Sequence, residues 1–197
     1  MNFTNYVEQE KVKARLKNIE EVRKDINKSW VQEKIQKHIE SFGGLITEEE
    51  VKEGILTNLI IASKFCKDPG KQNISEKLAI EVLQVEKLPS FGKNCIRFTP
   101  TGEITTVNQG GNTKSADFIY NGYYATQKYT KGTGGAQDNQ KNDVIDFLVK
   151  GSINHKVAAI VDGEYWDYWK PILITEFKDN PNILITSVTE ITEALDK

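Results

Sequence analysis

The Asn121-Gly122 dipeptide lies between two β-type segments and constrains the fold of this chain more than any other feature. Residues 117–120 precede it and residues 123–129 follow it, and both segments are rich in aromatic and β-branched side chains. Asn-Gly in this setting is the strongest short-range signal for a β-hairpin, because both residues accept a positive φ. We therefore expect two antiparallel strands, with Asp117 at the start of the first and Lys128 inside the second.

The segments around this hairpin predict an α/β fold with a mixed sheet. A helix is expected at 73–85, since it is apolar on most sides, and a first strand at 95–98, returning through 103–107. After the hairpin, the pattern predicts a helix at 134–149, and the wholly apolar residues 157–161 read as a central strand buried on both faces. A strand at 183–186 and a helix at 188–195 complete the chain. Trp166 and Trp169 are interpreted as core or interface anchors.

The first third of the chain reads as helical. Apolar residues recur at three- and four-residue steps over 6–42, with a break near 27–29, and Gly43-Gly44 ends this region. Thr47 followed by three glutamates predicts the N-terminus of a further helix over 48–63. We place the boundary at the turn 67–71, which gives an N-terminal helical region (1–68) for packing, dimerisation or DNA clamping, and a core (69–197).

Composition excludes several functional classes. The net charge of −2 shows no global basic excess, which counts weakly against nucleic-acid binding. Cys66 and Cys95 lie far apart, so neither zinc nor a disulfide framework is expected. The charged N-terminus has no signal-peptide pattern and no apolar run could span a membrane, so we expect a soluble, cytoplasmic protein. The phosphate-binding and dinucleotide-binding glycine patterns are missing, so no nucleotide cofactor is expected.

The hairpin predicts a candidate active site. Tyr124, Thr126 and Lys128 share one face of their strand, and Asp117 should lie on the neighbouring strand, about 5 Å away. Asp117 and the backbone carbonyl of Gln127 would hold a divalent cation, for which Mg²⁺ is suited, and Lys128 would stabilise charge on a phosphate. The alternative is an exposed strand-end acid and an edge-strand lysine that prevents aggregation.

The order of these elements resembles the PD-(D/E)XK nuclease superfamily, and more narrowly type II restriction endonucleases. The resemblance covers about residues 72–195 and implies a restriction-endonuclease-like αβββαβ core. The motif aspartate matches Asp117 in Ser-Ala-Asp, and the motif lysine matches Lys128 in Thr-Gln-Lys. The helix before the sheet often carries a metal-site glutamate in this family, which here would be Glu76.

Two positions depart from the family pattern. Ala116 replaces the proline before the aspartate, and Thr126 replaces the acid two residues before the lysine. Some members carry this acid on the following helix, where Asp138 and Asp143 are available. We favour Glu76 and Asp117 as the two acids of the metal site and keep Asp138 as the alternative. An acid at a helix N-terminus, such as Asp138, also interacts favourably with the helix dipole. Gln127 could substitute as a ligand if a bulge shifts the strand.

The glycine-rich segment after Lys128 is the candidate DNA contact. Glycines and free amides at a helix start attract phosphate, and Gln and Asn side chains can pair with base edges. The alternative is a flexible loop with a polar cap. The residues selected for DNA binding are Lys131, Gly134, Gly135, Gln137, Asn139 and Gln140.

The resemblance implies a Mg²⁺-dependent, sequence-specific endonuclease of restriction–modification systems that acts on double-stranded DNA. It would leave 5′-phosphate ends and act as a homodimer, because protein and site then share a two-fold axis. Two alternatives stay open. One is a DNA-binding protein of the same fold with a decayed site, and the other is a helical protein-interaction module.

Overall fold

A computed structural model describes residues 2–132 and 135–195. The helices of this part are α1 (Phe3–Lys24), α2 (Ser29–Ser41), α3 (Glu48–Thr57), α4 (Leu59–Phe65), α5 (Ile74–Leu83), α6 (Gly135–Ser152), α7 (Glu164–Glu176) and α8 (Val188–Leu195). The strands are β1 (Arg97–Phe98), β2 (Ile104–Thr105), β3 (Lys114–Ser115), β4 (Phe118–Tyr120), β5 (Tyr123–Tyr129), β6 (Val157–Asp162) and β7 (Ile183–Thr186). The chain is thus a mixed α/β protein, as predicted.

The main sheet has four strands in the order β4-β5-β6-β7. β4 and β5 are antiparallel, whereas β5, β6 and β7 run parallel. Parallel neighbours need a crossover, which α6 supplies between β5 and β6. β6 is buried along its whole length, as its apolar sequence predicts for a central strand. The predicted mixed sheet is confirmed.

The predicted hairpin is present. Asn121 has φ 47° and Gly122 has φ 81°, and positive φ at both central residues defines a type I′ turn. The turn pairs Tyr120 with Tyr123 and Phe118 with Ala125. This register fixes which side chains of the two strands lie next to one another.

The first predicted strand, at 95–98, is present as β1 but belongs to a different sheet from the hairpin. β1 lies between β2 and β3 in a separate three-stranded sheet. The chain at Lys87 forms a single antiparallel bridge with Phe118, and Leu88 N donates to Asp117 O at 2.8 Å. The pattern of a two-residue strand carries no information about which partner it takes, so only the tertiary structure makes this choice.

Helix α7 was not predicted from the sequence. Its sequence contains Pro171, which lacks the N–H that a helix interior requires. The helix begins after Gly163, where φ is 102° and a Cβ atom would lie 2.3 Å from the carbonyl oxygen of Thr130. Trp166 is fully buried in the core beneath α6 and α7, which confirms it as a core anchor.

The chain divides into two compact units, one of residues 1–5 and 75–197 and the other of residues 6–74. In the second unit, α1 to α4 enclose an apolar core that includes Val22, Ile35 and Ile55. Asn58 caps α4 through its side chain and so splits the helix predicted over 48–63 into α3 and α4. Within the described ranges, no helix combines the length and apolarity that a membrane span requires.

Candidate functional site

Asp117 lies immediately before β4, and the backbone and β5 hold it in place. Its N–H donates to Ala125 O at 2.7 Å. Its Oδ2 accepts hydrogen bonds from Thr126 Oγ1 at 3.0 Å and from Gln127 N at 2.8 Å. Both side-chain bonds use the same oxygen, so Oδ1 has no donor among the residues that the structure describes. The hydrogen bonds to Oδ2 therefore fix the orientation of the carboxylate, and Oδ1 is available to a ligand.

Asp117, Thr126 and Lys128 line one cavity of about 160 Å³. Thr126 and Lys128 point to the same face of β5, because side chains alternate along a strand. Thr126 is only 4% exposed, whereas Lys128 is half-buried. The structure thus brings the acid and the lysine of the sequence prediction to the same side of the sheet.

The electrostatics of Asp117 reflect a carboxyl group that is largely withdrawn from solvent, although the residue as a whole is half-buried. Burial raises the pKa of Asp117 above its usual value, and the field of Glu76 raises it further. The ammonium group of Lys128 lowers the pKa of Asp117, as do the hydrogen bonds from Gln127 and Thr126. A carboxylate that is costly to bury gains from any cation that reaches it. A cation bound next to Asp117 would act in the same direction as the charge of Lys128.

The backbone of Gln127 is directed toward this carboxylate. N–H and C=O of one strand residue point to the same side of the strand. Tyr124 N donates to Lys156 O beside β6, whereas Ala125 O accepts from Asp117 N. Gln127 is two residues beyond Ala125, so its carbonyl leaves β5 on the side of Asp117. Its side chain takes the opposite face, where Nε2 is buried and has no hydrogen-bond partner in the described part of the chain.

Glu76 and Asp138 lie outside the lining of this cavity. Glu76 Oε1 forms an ion pair with Lys87 Nζ at 2.7 Å, although its field still reaches Asp117. Asp138 Oδ1 accepts from Tyr165 Oη at 2.9 Å. Burial, together with this bond, raises the pKa of Tyr165 to about 12. Glu76 and Asp138 thus each bind another side chain of the protein, Lys87 and Tyr165, and these contacts can stabilise the fold.

The glycine-rich segment is only partly described. Gly134 lies outside the described residues, and α6 begins at Gly135. Lys131 and Asn139 are exposed, and Gln137 is half-buried. Gln140 Oε1 accepts from Thr130 Oγ1 at 2.7 Å, so that amide oxygen has an internal partner.

Three charged lining residues were not selected from the sequence as site residues. The cavity also includes Arg97 from β1, Lys114 from β3, and Asp143 from α6, which the sequence offered only as a position for a displaced acid. Lys114 is three residues before Asp117, and that short spacing is the one sequence signal that could have pointed to it. Arg97 enters through the pairing of β1 with β3, which no sequence pattern indicates.

The oxygen atoms at this site suit Mg²⁺ better than a softer metal. Asp117 Oδ1 and the Gln127 carbonyl are hard ligands, and Mg²⁺ retains several waters, so that few protein ligands suffice. Within the described ranges, no group of three or more His, Cys, Asp or Glu side chains forms a metal-binding cluster. A Mg²⁺ ion bound by these two oxygens would keep water molecules as its other ligands.

Comparison with protein-family models, with curated proteins and with solved structures finds no match to this chain.

Proposed function

We propose that this protein is a Mg²⁺-dependent, sequence-specific endonuclease that cuts double-stranded DNA, of the type II restriction class. The observation that carries the proposal is the shared cavity of Asp117 and Lys128, which lie on opposite sides of the Asn121-Gly122 turn. A fixed carboxylate next to an ammonium group is the combination that metal-assisted phosphodiester hydrolysis uses.

Each residue has a distinct part in the proposed reaction. Thr126 and Gln127 hold Asp117 through Oδ2 and leave Oδ1 for the cation. Asp117 and the Gln127 carbonyl would hold Mg²⁺, which when bound supplies an activated water and neutralises charge. Lys128 would bind a non-bridging phosphate oxygen and stabilise the negative charge that develops there. Glu76 would join the metal site only after separation from Lys87.

The arrangement of elements also supports the proposal. Helix α5, the β4–β5 hairpin, the α6 crossover and β6 follow one another in the order that the resemblance implies. In this interpretation, the bridge between Lys87 and Phe118 stands where the first core strand would lie. We thus propose a restriction-endonuclease-like core in which the first strand is reduced to one β-bridge between two residues, Lys87 and Phe118.

DNA digestion tests the proposal. The purified protein, incubated with a panel of phage and plasmid DNAs and Mg²⁺, should yield discrete fragments whose ends share one sequence and carry 5′-phosphates. Asp117→Asn retains the oxygen that accepts from Thr126 and Gln127 but removes the charge, so it should reduce cutting at least 100-fold, on the order of one lost electrostatic contact in the transition state. Lys128→Ala should have a similar effect.

The control variants are Lys178→Ala and Asp179→Asn. These substitutions remove the same two charges from exposed positions between α7 and β7. Both control variants should cut like the wild-type protein, and the circular dichroism spectra of all four variants should match the wild-type spectrum, which shows that each retains the fold. Normal cutting by Asp117→Asn, or uncut DNA across a broad panel, would overturn the assignment.

A DNA-binding protein with a decayed site is the second candidate. The observation that favours it is Thr126, which occupies the position of the second acid and donates to Asp117 instead of binding a cation. This candidate predicts salt-sensitive DNA binding that requires no Mg²⁺ and leads to no cleavage. The same digestion panel, with a binding assay beside it, separates the two.

A further inference from the structure

The cavity beside Asp117 contains more positive charge than one catalytic lysine accounts for. Arg97, Lys114 and Lys128 line it, against the two acids Asp117 and Asp143. The cations come from three separate strands, so the pairing of β1 with β3 and of β4 with β5 is what assembles them. Three cationic side chains that converge on one cavity in a protein of net negative charge indicate a site for an anionic ligand.

Arg97 has unused hydrogen-bonding capacity at this place. One terminal nitrogen of its guanidinium group donates to Ser90 O at 3.1 Å. Its Nε is buried and has no hydrogen-bond partner among the described residues. A buried donor without an acceptor is destabilising unless a ligand supplies one. The planar guanidinium group is well matched to phosphate oxygens.

Lys114 is held by two carboxylates that a phosphate could replace. Its Nζ lies 2.5 Å from Asp143 Oδ1 and 3.7 Å from Asp146 Oδ2, both on α6. The lysine side chain is 19% exposed, whereas both aspartates are about half exposed. Solvent-exposed acids can leave such a contact at little cost, because exposed ion pairs contribute little to stability.

We propose that Arg97 and Lys114 form a second phosphate pocket, which binds a backbone phosphodiester adjacent to the one that Lys128 faces. In the free protein, Asp143 and Asp146 form ion pairs with the ammonium group of Lys114 and so compete with that phosphate for it. The identity of the ligand as nucleic acid rests on the proposed function, whereas the presence of an anion pocket rests on Arg97, Lys114 and the cavity alone.

DNA binding without cleavage tests the pocket. Fluorescence anisotropy of a labelled duplex in EDTA should give about tenfold weaker binding for Arg97→Gln and for Lys114→Gln, as expected for one charge-assisted contact. A plot of log affinity against log salt concentration has a negative slope, and each substitution should make that slope less negative by about 1. Lys178→Gln removes an exposed lysine elsewhere in the same unit and should change neither quantity.

A double-mutant cycle tests the competition. Asp143→Asn should strengthen DNA binding, because Lys114 is released, and most of this gain should vanish when Lys114→Gln is already present. An equal gain in both backgrounds would show only a general loss of repulsion and would contradict the competition. If Arg97→Gln fails to fold by circular dichroism, Lys114→Gln and the cycle still decide.

The outcomes separate this inference from the nuclease assignment. Wild-type protein that cuts DNA, with Arg97→Gln and Lys114→Gln binding as tightly as wild type, would overturn the pocket alone. Weakened binding by both variants in a protein that never cuts would support the pocket and overturn the nuclease. Failure of the wild-type protein to bind DNA at low salt would overturn both.

Discussion

Asp117 and Thr126 form a hydrogen-bonded pair in the wall of one cavity. In the family pattern the position of Thr126 carries an acid, but here its hydroxyl group donates to Asp117 Oδ2 at 3.0 Å. A threonine cannot contribute a negative charge, although it can stabilise the charge already present. In the proposed nuclease site, Thr126 would thus support Asp117 where the family pattern has a second metal ligand.

This role of Thr126 predicts how its substitution changes the pKa of Asp117. The hydrogen bond from Thr126 lowers the pKa of Asp117, against the larger opposing effect of burial. Thr126→Val removes the donor at nearly constant volume, so the pKa of Asp117 should rise further. NMR titration of the Asp117 carboxyl carbon in metal-free protein measures it directly.

Thr126→Ser is the matched control for this titration. It retains the hydroxyl group, so the pKa of Asp117 should stay near the wild-type value. A pKa that is unchanged in Thr126→Val, or raised equally in Thr126→Ser, would show that the bond has no such function.

At the scale of elements, the end of β6 is joined to the start of α8 by a buried acid. Asp162 is only 3% exposed, and its Oδ2 accepts from Val188 N at 3.1 Å. Burial raises the pKa of Asp162 from 3.8 to about 6. The N–H groups of Val188 and Thr189 and the charge of Lys170 oppose this rise, whereas Glu190 adds to it.

This junction should make stability depend on pH. A carboxyl group whose folded pKa lies above its unfolded pKa stabilises the fold when protonated, so stability falls as pH rises from about 4 to about 6. The full effect is about 3 kcal/mol, from about 1.4 kcal/mol per pKa unit. Asp162→Asn removes this dependence. The free energy of unfolding of the variant, relative to that of the wild type, should therefore increase as pH rises from about 4 to about 6 and then stay constant.

Urea denaturation of both proteins at pH 4 and pH 7 measures the difference. Asp179→Asn, at an exposed position after α7, should show no such growth. A free-energy difference between Asp162→Asn and wild type that stays constant with pH would contradict the junction's role.

At the scale of the whole molecule, the helical unit has an exposed apolar groove. Val12 and Leu16 from α1 and Leu59 and Ile60 from α4 line it, and Ile60 is 74% exposed. A contiguous apolar patch of this kind is typical of an interaction surface. Because cutting both DNA strands at a symmetric site requires two active sites, a second copy of this chain is the partner that fits the proposed function.

Sedimentation equilibrium tests the homodimer. The wild-type protein should sediment as a dimer. Ile60→Asp places a charge in the groove, so this variant should sediment as a monomer and cut both DNA strands less efficiently. Leu45→Asp is the matched control, because Leu45 is 87% exposed in the same unit and lies outside the groove. Equal association of wild type and Ile60→Asp, or a monomeric wild type, would overturn this assignment.

The local elements were predictable because their causes are local. Asn121 and Gly122 accept a positive φ, β6 is apolar from Val157 to Val161, and Thr47 caps its own helix, so each pattern indicates one structure. The same pattern of alternation predicts that Thr126 and Lys128 share a face. These features need only neighbours within a few residues.

The rest depends on contacts between distant segments, which no local pattern encodes. β1 pairs in a separate sheet, α7 forms despite Pro171, and Arg97 reaches the cavity of Asp117 only through β3. The partners of Glu76 and Asp138, Lys87 and Tyr165, likewise come from outside their own helices. The acid–lysine hairpin and most of the local elements thus follow from the order of residues, whereas the charge balance of the cavity arises only when the packed strands bring distant side chains together.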